Sequence, residues 1–433
     1  MLHMNKFTKL FLFFLGITFA FQANAQTTYI HCGQLIDGKS NQVQKQMTIV
    51  VEKNRIKSVE KGYKKASSGA KTIDLKNKTV LPGLMDMHVH LEGELSPAQY
   101  VERYTMNKED VAFRAAQYAQ RTLMAGFTTV RDLGGSGVNI ALRKAINSGW
   151  AEGPRVFTCG KAIGPTGGHA DPTNGYRLDL MGNPGPENGV INGVNDCRKA
   201  VRHQYKVGAD VIKITATGGV LSVAKDGTRP QFTEEEIKAI VETANDLGLV
   251  TAAHAHGAEG IKRAIRAGIN SIEHGTLMDD EGIQLMKKYG TYFVPTISAG
   301  KHVEGMAKKK QLPAIIIPKA LDIGPKIQET FGKAYKAGVK IAFGTDTGVS
   351  RHGENGQEFA YMVEAGMPPM KAIQSATMEA AKLLRVEKDL GSLEAGKFAD
   401  IVAVDENPIK NIRTMEKVTF VMKNGKVYKK EGK

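Results

Sequence analysis

The sequence predicts an α/β fold: a (β/α)8 TIM barrel carrying a small β-sandwich domain assembled from both ends of the chain. Three observations point there. Eight short β-rich runs alternate with helix-like stretches over about 300 residues, which favours a closed parallel barrel over an open sheet. Those runs tend to finish in Gly, Asp or His. The segments on either side of the alternation read instead as small strands punctuated by Gly and Asn.

Residues 1–25 stand apart from this pattern. Lys6 and Lys9 precede an apolar run of 12 residues from Leu10 to Phe21, and Ala23-Asn24-Ala25 supplies a small-residue cleavage site, so the segment reads as a secretory signal peptide. A membrane span needs about 20 apolar residues. The run is too short for that, so the expected product is exported, periplasmic and without stable membrane insertion.

Residues 26–79 hold alternating or β-branched segments such as Met47-Thr48-Ile49-Val50-Val51 and Ile56-Lys57-Ser58-Val59. Residues 386–433 read the same way. There Ala399 to Val404 and Val418 to Met422 are strand-like, and Lys423-Asn424-Gly425-Lys426 gives an Asn-Gly hairpin turn. The two ends are expected to form one β domain around a barrel spanning 80–385. Its eight runs are Val80–His90, Gly126–Asp132, Arg155–Ala162, Asp210–Thr217, Val250–His256, Ser271–His274, Tyr292–Ile297 and Ile341–Asp346. Between the fourth and fifth, Thr233 and Glu236 make a capping box that opens an amphipathic helix to Leu247.

Composition excludes several other readings. The chain is 24% charged and 42% hydrophobic, ordinary for a globular protein and unlike a disordered one. Its formal charge of +15 falls to +13 when the two lysines of the signal are removed. The basic residues are scattered, as in Lys308-Lys309-Lys310, with no interleaved aromatics, so solvated surface charge is expected and a nucleic-acid partner is not. Cys32, Cys159 and Cys197 are odd in number and widely spaced, which supports neither a disulfide framework nor a thiolate zinc site.

Barrel enzymes place their reactive groups at the C-terminal ends of the strands. The first run ends in His88-Val89-His90, whose i, i+2 spacing projects both rings to one face of a strand, where they can grip one cation. The fourth run contains Lys213 within an otherwise apolar or small stretch, on the face shared by Val211 and Thr215. A buried ammonium is costly. One reading is a lysine paired with an acid such as Asp210. The other is a neutral amine that reacts with carbon dioxide to give a carbamate, an anionic oxygen ligand able to bridge two metals. The fifth run ends in His254-Ala255-His256-Gly257, the sixth in Glu273-His274-Gly275 and the eighth in Gly344-Thr345-Asp346. Imidazole and carboxylate are the ligands zinc accepts where thiolates are absent, although manganese, iron and cobalt also accept them. Singly, each histidine reads as a core or loop residue. Metal-capable groups at five strand ends read as a site.

With these pieces in order, the chain resembles the amidohydrolase superfamily, in its imidazolonepropionase-related branch with prolidase-like dipeptidases for Xaa-Pro and Xaa-Arg/Lys. The resemblance runs from about Thr27 to Lys429 and rests on Val80 to His90, Ile212 to Gly219, His254 to Gly257, Ser271 to Gly275, Gly344 to Asp346 and Gly391 to Asp400. It implies a site for two divalent metal ions, zinc by expectation. His88, His90 and Asp346 would hold the more buried ion and His254 and His274 the more exposed one. Carboxylated Lys213 and a hydroxide would bridge them, with His256 either supporting a ligand from behind or contacting substrate. Asp346 would move the nucleophile's proton to the leaving amine. His169, after Gly167-Gly168, is a candidate oxyanion donor, and reads equally as a structural or solvent-facing loop histidine. Arg229, in the loop after the fourth run, is a candidate for a substrate α-carboxylate, set against an exposed arginine without a role. The expected activity is hydrolysis of amide bonds in small substrates, dipeptides first, by an enzyme that assembles as a homo-oligomer. The alternatives are cleavage of N-acyl amino acids, lactones or cyclic amides, and an envelope metal-binding protein without turnover.

Overall fold

The computed structural model describes residues 27–222 and 226–431. The expected signal segment 1–25 lies outside the described residues. Four strands come first: β1 (Thr27–Ile36), β2 (Val43–Glu52), β3 (Arg55–Lys61) and β4 (Lys71–Pro82). The barrel strands follow as β5 (Leu84–Val89), β6 (Phe127–Asp132) and β7 (Arg155–Thr158). After a two-residue pair, β8 (Gly164–Pro165) and β9 (Val190–Ile191), come β10 (Val211–Thr215), β11 (Val250–Gly257), β12 (Ser271–Leu277) and β13 (Tyr292–Val294). The chain closes with β14 (Ile401–Val404), β15 (Phe420–Lys423) and β16 (Lys426–Lys430).

Both ends of the chain do share one sheet, with strand order β16-β15-β14-β4-β1-β2-β3. It is mixed, since β1 and β4 run parallel while the other neighbours are antiparallel. The expected sandwich of two sheets is therefore corrected to one continuous seven-stranded sheet. It curls until Ile56 of β3 exchanges backbone hydrogen bonds with Gly396 and Lys397 (2.8 and 2.9 Å). Ile30, Ile49, Ile73, Ile401 and Phe420 fill its inner face. The Asn424-Gly425 turn joins β15 to β16 with both residues at positive φ (50° and 76°), as a tight hairpin of this kind requires.

The barrel consists of two parallel arcs, β5-β6-β7 and β10-β11-β12-β13, with helices between strands. The eighth expected run forms no regular strand. Its last residue, Asp346, sits at φ 57°, outside the extended region. The segment still lies between the arcs: Phe293 and Ala342 bond across from β13, and Phe343 and Asp346 bond to Met87 and His88 of β5 (2.7–3.0 Å). Single bridges also carry β7 to β10, through Ile163 and Ile214. The result is a TIM-barrel type fold whose hydrogen-bond ladder is interrupted twice around the ring.

Alternation decides which residues face inward. On β10, Ile212 and Ile214 join the core under the helices, and on β11 Ala253 and Ala255 do the same. Val211, Val250 and Ala252 belong to a separate cluster with Met85, Met87 and Val294. Lys213, His254 and His256 occupy the alternate, inward positions above it. The helix Glu234–Asp246 is capped as the sequence predicts, with Thr233 Oγ1 accepting from Glu236 N (3.2 Å) and Glu236 accepting from Thr233 N (2.9 Å). Among the described residues, no helix is long and apolar enough to cross a membrane. Cys32, Cys159 and Cys197 are buried and unpaired.

Candidate active site

The strand ends converge on a cleft of about 1130 Å³ lined by His88, His90, His169, Lys213, His256 and Asp346, together with His254 and His274. His88 Nε2 and His90 Nε2 lie 3.4 and 3.2 Å from Asp346 Oδ1, and one ligand atom from each of the three residues falls within 4.8 Å of the other two. Lys213 Nζ stands 3.4 Å from His88 Nε2. Register explains the vertical spacing: Thr215 pairs with His254, two residues above the Lys213–Ala252 pair, and Ala255 pairs with His274. The His254 ring lies 4.7 Å from that of His274, and the His88 ring 5.0 Å from it, so the imidazoles pack directly against one another.

Each ring is turned by a partner behind it. His90 Nδ1 bonds to Gly134 O (2.8 Å), His254 Nε2 to Gly218 O (3.0 Å), His274 Nδ1 to Thr296 Oγ1 (2.7 Å) and His256 Nδ1 to Thr276 Oγ1 (2.9 Å). His88 Nδ1 lies 3.0 Å from Glu273 Oε2, and the other oxygen of Glu273 accepts from Arg131 (2.8 Å). His90, His254, His274 and His256 thus each have one ring nitrogen held by a hydrogen bond, while His88 Nδ1 lies beside Glu273 without an aligned one. Three residues of the site stand at positive φ: His274 (70°), Thr296 (56°) and Asp346 (57°). Backbone held in this region costs on the order of 1–3 kcal/mol per residue and persists where surrounding structure enforces it.

Burial sets the charge states. It pushes His88, His254 and His274 well below the usual imidazole range, with Lys213 adding to the effect, so these rings are held neutral. His169 falls to about 3 and His256 to about 4, also through burial. Burial lowers Lys213 as well, against the pull of Glu273 and Asp346. Burial alone would raise Asp346, but His88, His90 and Lys213 hold it below the usual carboxylate value. His90 goes the other way: the adjacent Asp346 carboxylate outweighs desolvation. This donor set fits divalent cations. The ring nitrogens of His88 and His90 and a carboxylate meet where the buried Asp346 Oδ1 receives no aligned hydrogen bond.

The structure brings together eight of the residues singled out from sequence. His169 stacks on His254 (ring centroids 4.4 Å apart, 30° between planes), and its buried Nδ1 has no hydrogen-bond partner. A Cβ on Gly219 would fall 2.3 Å from the His169 ring, so a glycine is required for the stack. Arg229 is not among the residues lining the cleft. Its side chain is 85% exposed and pairs with Asp226 at 2.9 Å, so the expectation that it grips a substrate carboxylate is corrected. Glu273, Arg131 and Thr296 were not assigned roles from sequence. The signal for Glu273 was present, as an acid adjoining His274 within a strand that is otherwise apolar or small.

A parallel barrel with buried histidines, a lysine and an aspartate at its strand ends defines a hydrolase of the TIM-barrel class. The chain belongs to the amidohydrolase family, which it matches over residues 79–428. It is similar to the crystal structure of a Xaa-Pro dipeptidase with methionine bound in the active site, at 56% identity and a TM-score of 0.91, covering 93% of this chain and 100% of that one. It is 33% identical to ochratoxinase of Aspergillus niger over 438 residues, 94% of this chain and 88% of that protein. A more distant relative is imidazolonepropionase of Treponema denticola, 25% identical over 430 residues, 89% of this chain and 92% of that protein.

Proposed function

We propose that this amidohydrolase is a binuclear, metal-dependent dipeptidase that cleaves the amide bond of Xaa-Pro or Xaa-Arg/Lys dipeptides. The observation that carries this reading is Lys213, an amine buried against His88 and beside Asp346, where a carbamate formed with carbon dioxide would be an anionic ligand and an ammonium would stay desolvated. His88, His90 and Asp346 would hold one ion, His254 and His274 the second, and the carbamate of Lys213 both. Divalent cations held there supply a Lewis acid for the scissile carbonyl and a water of lowered pKa.

The chain's own residues do the rest. Asp346 takes a proton on a carboxylate oxygen and returns it to the leaving amine. His169, neutral because its pKa is low, donates a ring N–H towards the oxyanion that develops on the carbonyl. His256, stacked on His274 at 5.0 Å, borders the substrate. The similarity to the Xaa-Pro dipeptidase supports dipeptides as substrates. Segment 1–25 supports export, with the periplasm as the proposed place of action. A second reading, cleavage of a bulkier amide, is favoured by the cleft, whose volume exceeds the range of about 300–1,000 Å³ usual for small-molecule sites.

The test is metal content and hydrolysis of Xaa-Pro, Xaa-Arg and Xaa-Lys measured on one purified sample with bicarbonate. About two metals per chain with dipeptide turnover is the expected result. Two metals with no dipeptide cleaved would overturn the substrate reading.

A further inference from the structure

The helix Ile297–Lys308 begins at Thr296, yet the Thr296 side chain does not cap it. A threonine in this position ordinarily offers its hydroxyl oxygen to the first free N–H groups of its helix, as Thr233 does to Glu236 N (3.2 Å). Thr296 stands at φ 56°, outside the extended backbone usual for that role, and the first turn holds no acid of its own. The acceptor comes from elsewhere in the chain. Glu358, fully buried on the helix Gln357–Glu364, accepts from Ile297 N through Oε1 (2.8 Å) and from Ser298 N through Oε2 (2.7 Å). A buried carboxylate is costly, and the positive end of a helix offsets part of that cost. A second effect falls on the site. Thr296 Oγ1 is left to donate its single proton to Pro295 O (2.7 Å), so at His274 Nδ1, also 2.7 Å away, it can only accept. The neutral His274 ring therefore carries its proton on Nδ1 and keeps the Nε2 lone pair for a ligand. The same corner is tied to the segment of Asp346, since Thr296 N donates to Gly344 O (3.0 Å) and Ser298 Oγ to Thr345 O (3.1 Å).

We propose that Glu358 is a positioning residue for the metal site: by capping the helix at Ile297 and Ser298, it releases the Thr296 hydroxyl to hold His274 as an Nδ1–H imidazole. This rests on the reading of His274 as a ligand of the second ion. Glu358 does not line the cleft and acts through Thr296. With one carboxylate oxygen lost, an uncapped N–H at the helix start competes for Thr296 Oγ1. The His274 ring then loses the partner that sets its tautomer and its angle, which is how an outer residue governs a metal ligand.

The test is zinc titration, and the visible spectrum of the cobalt(II)-loaded protein, for Glu358→Gln, Thr296→Val, Thr296→Ser and the double variant of Glu358→Gln with Thr296→Val. Glu358→Gln keeps one acceptor oxygen and loses the other. It and Thr296→Val should each weaken the second zinc ion by about 10- to 100-fold and alter the cobalt spectrum. Thr296→Ser keeps the hydroxyl and should retain both properties. The double variant should lose no more affinity than the worse single one, because both changes act on one contact, whereas independent effects would multiply. Circular dichroism reports folding, and Glu358→Asp, too short to reach both N–H groups, carries the same expectation should Glu358→Gln not fold. A folded Glu358 variant with a lower urea midpoint but unchanged zinc affinity and cobalt spectrum would overturn the proposal, as would multiplying losses in the double variant. Both readouts need no substrate, so absence of dipeptide turnover would count against the dipeptidase reading alone.

Discussion

Lys213 Nζ lies 3.4 Å from His88 Nε2, an amine and an imidazole that neither neutralises nor repels the other when both are uncharged. Burial lowers both groups, which is the state that metal ligation and carbamate formation need. Lys213→Ala is expected to abolish dipeptide turnover and to lower metal content. Elemental analysis and hydrolysis rates on the same preparation check this. Retention of full metal and activity would remove Lys213 from the ligand set.

A chelator dialysed against the enzyme should remove activity, and divalent zinc with bicarbonate should restore it, because the imidazole and carboxylate donors bind reversibly. Recovery that is indifferent to bicarbonate would argue against a carbamate.

His169→Asn should lower kcat by about 100- to 1,000-fold, the usual consequence of losing one oxyanion donor, with metal content unchanged. Steady-state kinetics distinguish this from a substrate contact, which would raise KM and leave kcat alone.

Glu273 stands between His88 and the fully buried Arg131. Glu273→Gln would leave the Arg131 charge without its counter-ion, and breaking such a pair costs about 3–5 kcal/mol. The same change loosens the His88 ring, for which a loss of metal affinity of about 10- to 100-fold is expected. Denaturant midpoints and metal titration read the two effects separately.

Lys423 gives a pH dependence remote from the site. Burial, aided by Arg155, pushes its ammonium from 10.5 down to about 8, while its Nζ donates to Gly153 O. The folded value lies below the unfolded one, so between about pH 8 and 10.5 the unfolded chain holds a proton that the folded chain has shed. Stability from this group therefore rises with pH across that window, by up to about 3 kcal/mol, and its penalty is complete below pH 8. Lys423→Met should flatten the rise. Urea midpoints across the window check it, and an unchanged slope would refute it.

Much of the site could be read from sequence because strand alternation converts spacing into direction. The Val211, Lys213, Thr215 face and the His254, His256 pair point inward as their parity requires. What escaped lies in loops and in neighbours across strands. Arg229 follows a stretch whose path no periodicity fixes, and its placement beside Asp226 depends on a turn in which Asp226 Oδ1 accepts from Thr228 N. Glu273 was visible in the sequence, but its role depends on Arg131, 142 residues away. The single curled sheet likewise follows from the β4–β14 pairing, which links residues over 300 positions apart and leaves no local trace.

That pairing imposes an order on the birth of the protein. β4 runs through Pro82 almost directly into β5 and His88, and its outer neighbour, β14, begins at Ile401. A ribosome making this chain therefore releases β5 long before the strand that flanks its root. His88 and His90 therefore precede by about 300 residues the strand that supports β4, and a truncation that removes β14 to β16 would strip that support while leaving His88, His90, Lys213, His254, His274 and Asp346 in the chain.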